Sequence, residues 1–130
     1  MSGKQEPTDT EAKRLSDLLH YQTGSVVSRV LLKNKGGTVT LFAFSQGEGL
    51  SEHTAPFDAL VNVIEGEANI YIASLRGGVE RGETEGEVNL GVRLNEFRVR
   101  AAEIITLPAN RAHAVTAVTD FKMILTMIRG

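Results

Sequence analysis

Three histidines, His20, His53 and His113, are the only side chains of this 130-residue chain whose ordinary pKa lies near neutrality. The chain has no cysteine, so disulfides, thiolate zinc sites, iron–sulfur clusters and thiol nucleophiles drop out together. No Gly-x-Ser-x-Gly elbow marks a serine nucleophile. Gly47-Glu48-Gly49 lacks the Lys and Ser/Thr that would grip a phosphate. What remains is imidazole chemistry: metal ligation, proton transfer, or hydrogen bonding to a small ligand. His20 falls near the end of a predicted helix, where a cation suits the helix dipole, and it reads as a surface residue. His53 and His113 each follow a turn sequence at the mouth of a predicted strand, Gly47–Glu52 and Leu107–Ala112 respectively. That is where a rigid sheet presents side chains to a pocket.

The elements that must hold these residues are mostly strands. Thr8 and Glu11 form a capping-box pattern ahead of a short helix predicted over Thr10–Tyr21, with Leu15, Leu18 and Leu19 on one face and Gly24 as its stop. After Gly24 the pattern changes to short apolar runs separated by Gly, Asn and Pro. Strands are expected at Ser25–Lys33, Thr38–Phe44, Asp58–Ile64, Ala68–Leu75, Val88–Leu94, Phe97–Val99, Ile104–Leu107, Ala112–Ala117 and Phe121–Ile128. This succession favours a β-sandwich or barrel over any α/β arrangement. Thr38–Phe44 carries apolar residues at both parities, as a strand covered on both faces would. Residues 1–9 are polar, contain Pro7 and are expected to form a disordered tail. Residues 10–130 suit one domain. Within it Arg76–Glu87, with four glycines and four glutamates, is expected to be a mobile hairpin end.

The spacing around the histidines resembles the cupin superfamily. Five residues separate Gly47 from His53, and six separate position 59 from Gly66, as in the first cupin motif. Pro108 and His113 match the second motif, with Asn110 at one glycine position, Ala102 at the other and Ala117 in place of its Asn. The resemblance runs from Ser25 to Ile128. It implies an all-β, cupin-like jelly-roll β-barrel with a short N-terminal helix. Cupin enzymes typically bind one divalent metal with two His and a Glu from the first motif and a His from the second. Here the second His position is Ala55 and the Glu position is Ala59. The resemblance therefore implies a degenerate metal site of His53 and His113. Such a pair would hold Zn, Ni, Fe or Mn weakly, unless water, a ligand or a further side chain such as Asp58 or Glu48 completes the sphere.

The implied pocket is lined by His53, Ala55, Phe57, Ala59, Val61 and His113. Met123 and Leu125, with Met127, are expected to complete it. Alanines in place of ligands leave a wider, more apolar cavity, which suits a small organic ligand with one or two polar groups. The expected function is binding of such a ligand inside the barrel, with a weakly held divalent metal as an accompaniment. A metal-dependent cupin enzyme of the dioxygenase, isomerase or decarboxylase type is the alternative, and an adaptor barrel without ligand is the next. Fourteen basic and sixteen acidic residues argue against a nucleic-acid surface. Arg93, Arg98 and Arg100 are diluted by Glu96 and Glu103 and read as a solvated strand face. No apolar run reaches the roughly 20 residues that span a bilayer, and the N-terminus lacks a signal-like apolar core, so a cytoplasmic location is expected. Val26, Val27, Val30, Leu31 and Leu32 make the first strand apolar on both faces. A homodimer is the expected way to cover them.

Overall fold

Antiparallel pairing of short apolar strands, with burial alternating most clearly along Asp58–Glu65 and Glu67–Ala73, builds two facing sheets in the computed structural model, which describes residues 10–74 and 94–129. The strands are β1 (Val26–Asn34), β2 (Gly37–Phe44), β3 (Gly49–His53), β4 (Asp58–Glu65), β5 (Glu67–Ala73), β6 (Leu94–Arg100), β7 (Ile104–Leu107), β8 (His113–Ala117) and β9 (Phe121–Ile128). A five-stranded sheet runs β1-β2-β9-β4-β7 and a four-stranded sheet runs β3-β8-β5-β6. Sequential strands lie in opposite sheets at several connections, which is the jelly-roll way of closing a barrel. The expected tail and the Arg76–Glu87 segment lie outside the described residues, as does most of the expected strand Val88–Leu94.

The core fills the space between the sheets. Phe44, Val61, Val63, Phe121 and Met123 point in from the five-stranded sheet, and Ile70, Ile72, Val99, Val115 and Ala117 from the four-stranded one. Phe44 stacks on Phe121 with ring centroids 4.5 Å apart. The outer face of the four-stranded sheet is a polar ladder. Arg98 donates to Asn69 and Glu67, and Arg100 reaches Glu67 at 3.3 Å. For Arg98 and Arg100 this is the expected solvated face.

Two expectations fail at the level of local structure. The predicted helix over Thr10–Tyr21 is reduced to one 3-10 turn, Leu15–Asp17, preceded by Arg14 in an extended conformation with no side-chain cap. Thr8 of the capping box lies outside the described residues. The reason is tertiary competition for the carbonyls a helix would use. Ser16 O accepts from Lys122 Nζ at 3.2 Å and Leu18 O accepts from Arg29 at 3.0 Å, and an isolated helix of about twelve residues is marginal in water. This arm instead covers the outer face of β2, where Leu41 and Ala43 are as fully buried as Phe44 on the inner face. The both-faces-covered reading of that strand holds. The arm is fastened by a polar cluster. Tyr21 donates to Glu65 at 2.5 Å, and the buried Lys122 lies 3.8 Å from the same carboxylate and 5.0 Å above the Tyr21 ring. Burial and then the Glu65 carboxylate push the Tyr21 phenol well above its ordinary range.

The other difference is β3, a strand where the sequence suggested a turn. Leu50 is its sole apolar residue of any size, so hydrophobic alternation gave no signal. In addition, the expected strand Phe97–Val99 is the centre of a longer one, β6.

The turns follow the residues that tolerate a left-handed backbone. Gly47 and Gly66, the first-motif glycines, have φ of 86° and 77°. Asn110 adopts φ 65° where the second motif has a glycine. Ala102 also adopts φ 72°, without a glycine's freedom, held there by its amide bonding to Val63 O at 2.8 Å.

Candidate functional site

The ends of the sheets bring the two motif histidines together. His53 closes β3 and His113 opens β8, and the two residues are partners in the strand register. Connection 54–57 leads from His53 to Asp58 at the start of β4, and 108–112 leads from Leu107 to His113. His53, His113 and the first row of β4 therefore occupy one end of the barrel. The rings meet edge to face with centroids 4.3 Å apart. Both share the inward parity of Val115 and Ile72.

Each imidazole is fixed through the same atom. His53 Nδ1 lies 2.7 Å from Ser51 O, and His113 Nδ1 lies 3.2 Å from Arg111 O. A carbonyl can only accept, so each Nδ1 carries a proton, and it is Nε2 that each ring leaves for a ligand. The histidines differ in setting. His53 is exposed and His113 half-buried. Burial, reinforced by neighbouring His53, pushes the His113 imidazole below its ordinary pKa, with the Arg111 carbonyl opposing the change. The pair thus presents two Nε2 atoms whose rings are fixed through Nδ1.

The other expected pocket residues sort by depth. Ala59 pairs with Met127 and Leu107 in the first interior row, Val61 with Leu125 and Ile105 in the second, and Val63 with Met123 in the third. Val61 and Met123 are fully buried core, so the reachable floor is the Ala59–Met127 row. The Ala55 carbonyl accepts from the Asn110 amide at 2.7 Å, tying together the two loops that carry the histidines. Phe57 lies at the same rim with Arg129 5.1 Å over its ring. Sequence reasoning named Phe57 and missed Arg129. Its position follows only from the register Asp58↔Ile128, which sets residues 57 and 129 side by side.

Neither proposed extra ligand joins the histidines. Asp58 Oδ1 accepts from the Ala109 amide at 2.9 Å and acts as a staple for the 108–112 loop. Glu48 sits at the opposite end of β3, where its carbonyl accepts from Ala117, a strand's length or roughly 13 Å from His53. His20 is exposed and remote in the arm. Among the described residues no group of three or more His, Asp or Glu gathers to hold a metal. Two neutral nitrogens without a carboxylate do not fit a tightly held divalent ion.

No family model matches the sequence, and no curated protein matches it. Solved structures do. A conserved protein of unknown function from Streptococcus pyogenes superposes with a TM-score of 0.74 at 23% identity, over 93% of this chain and 89% of that one. A cupin superfamily protein from Desulfitobacterium hafniense superposes at 0.73 with 21% identity, over 93% of both chains. A cupin 2 conserved barrel domain protein from Leptotrichia buccalis is 34% identical at a TM-score of 0.69, over 88% of this chain and 46% of that one.

Proposed function

We propose that this chain, which has the fold of solved cupin structures yet alanine at two of the usual cupin ligand positions, binds a small organic molecule at the mouth of its barrel. The observation carrying this reading is the His53–His113 pair, with both Nδ1 atoms committed to backbone carbonyls and neither Nε2 bonded among the described residues. Two fixed acceptors above an Ala59–Met127 floor are suited to a ligand with one or two polar groups and an apolar remainder. A divalent metal on the same nitrogens would be an occasional and weakly held companion. The loss of ligand-type side chains at 55 and 59 favours binding over metal chemistry. Titration with a library of small polar metabolites, followed by the histidine ring signals in NMR, tests the reading. Saturable shifts of His53 and His113 that disappear in His113→Ala support it. A library that leaves both rings unmoved removes it.

We also infer that two copies assemble through the β1 side of the five-stranded sheet. Val30 and Leu32 are 56% and 63% exposed on this edge strand, and Ile104, further across the same sheet, is 62% exposed. A groove of about 570 Å³ between the arm and β1 is lined by Leu18, Val30, Leu31 and Leu32 together with the charged Glu11, Lys13, Arg29 and Lys33. Val30 and Leu32 are more exposed than Leu94 and Phe97 on the four-stranded sheet. Light scattering at micromolar concentration is expected to give a dimer mass. Leu32→Glu is expected to give a folded monomer, because the residue is too exposed to contribute to the core. A monomeric wild type would refute the assembly.

A further inference from the structure

The rim of the barrel carries a second side-chain pair facing the histidines. Phe57 precedes Asp58 and Arg129 follows Ile128, and Asp58 and Ile128 are register partners at the end of the five-stranded sheet. The Arg129 guanidinium lies 5.1 Å over the Phe57 ring. A cation–ring contact of this kind uses the guanidinium's charge and requires none of its N–H donors, which among the described residues have no carboxylate partner. Among the described residues the ion pairs form elsewhere. Arg14 pairs with Asp17, Arg98 and Arg100 with Glu67, and Lys122 with Glu65. The nearest acid of the rim, Asp58, has one oxygen on the Ala109 amide. Arg111, the other rim cation, donates Nε to Ala73 O at 3.1 Å and has no carboxylate partner there either. The mouth therefore carries Arg129 at the edge of the five-stranded sheet, opposite the histidine nitrogens of the four-stranded sheet, where Arg111 is turned onto the Ala73 carbonyl.

We infer that the molecule bound at this mouth is a small organic acid, its carboxylate on the guanidinium edge of Arg129 and a hydroxyl donating to the free Nε2 of His53 or His113. This rests on the pocket reading above and adds its charge and polarity. Phe57 acts as the platform that holds the guanidinium at the rim, and the apolar Ala59–Met127 row is the surface a short carbon chain would lie against between the two polar ends. A hydroxyl can also accept from the guanidinium, but a carboxylate adds opposite charge and a bidentate match to its N–H edge, and such charge-assisted contacts are the stronger ones.

The test uses the full chain and named probes: glycolate, malate, malonate and benzoate, each beside its uncharged amide. Binding is followed by the histidine ring signals and the Arg129 Nε signal. The hydroxy acids are expected to bind saturably, with their amides weaker by about tenfold to a hundredfold, the loss of one charge-assisted contact. Arg129→Gln is expected to remove that preference while leaving the melting temperature unchanged, since residue 129 is exposed. Arg129→Lys is expected to restore only part of it, a point charge without the planar fork. Amides that bind as tightly as the acids, or acids indifferent to Arg129→Gln, overturn the inference while leaving a ligand pocket in place. Probes of both kinds that leave the histidine signals unmoved overturn the inference and the pocket together.

Discussion

Replacing Gly66 with alanine is expected to destabilise the protein by about 3–5 kcal/mol, enough to leave much of it unfolded at ordinary temperature. Gly66 makes the reversal between β4 and β5, and so links the two sheets, at φ 77°. The left-handed backbone alone costs a residue with a Cβ about 1–2 kcal/mol. The larger part is steric. A Cβ built there would overlap the Asp120 carbonyl oxygen and come within 2.8 Å of Phe121 Cα and 2.7 Å of its Cβ. Phe121 cannot give way, because its ring is fully buried and stacked on Phe44. Gly47 is the contrast. It has φ 86° with open space around its missing Cβ, so Gly47→Ala should cost only the backbone part. Urea midpoints of the two variants read the difference directly. The opposite substitution, Ala102→Gly, relieves a left-handed alanine and should raise stability by about 0.5–1 kcal/mol. A Gly66→Ala protein with a wild-type midpoint would mean that the β4–β5 turn is not built as described.

The legible part of this fold was its punctuation. Glycines and Asn110 at fixed distances from His53 and His113 carried the barrel, because a left-handed turn restricts residue type more sharply than a strand does. The histidine pair was legible for the same reason, since each residue is placed by a turn of restricted type. Apolar inner rows carried β4, through Ala59, Val61 and Val63, and β9, through Phe121, Met123, Leu125 and Met127, whereas the inner row of β2 begins with Thr38 and Thr40. What escaped was structure decided by distant partners. The N-terminal helix lost to Lys122 and Arg29, which lie more than ten residues away and take the carbonyls of Ser16 and Leu18. β3 is a strand because β8 offers it an edge, not because its own residues alternate. Glu48 does sit at the turn before β3, but β3 then carries the chain away from it, so His53 lies at the far end of that strand. The Phe57–Arg129 stack needed the β4–β9 register, and nothing within either segment announces that register.

Restoring the two missing ligand types should change metal binding more than any other pair of substitutions. The native chain offers two nitrogens, so zinc or nickel is expected to bind no tighter than about the micromolar range and to be stripped at once by a chelator. Ala55→His together with Ala59→Glu would supply a third nitrogen and a carboxylate. Outer partners that merely orient metal ligands are already worth about 10- to 100-fold in affinity. Two new donors should therefore give at least about a thousandfold, provided they converge on the Nε2 atoms of His53 and His113. Geometry favours position 59, which faces inward in the first row beside Met127 and Leu107. Ala55 is less certain of reach, since its carbonyl is tied to Asn110, and that tie also holds the backbone still for a new side chain. The same inward position sets the cost. Ala59 is only 7% exposed, so a glutamate there without metal is a buried carboxylate that should lower the melting temperature of the metal-free protein. Metal should then raise the melting temperature of the double variant far more than that of the wild type. Isothermal titration and melting with and without zinc measure both effects, and the same pair of changes in a His113→Ala background separates the intended site from a chance one. A folded double variant with wild-type affinity would show that the histidine nitrogens do not point to a common centre. Equal gain without His113 would place the new site somewhere other than the barrel mouth.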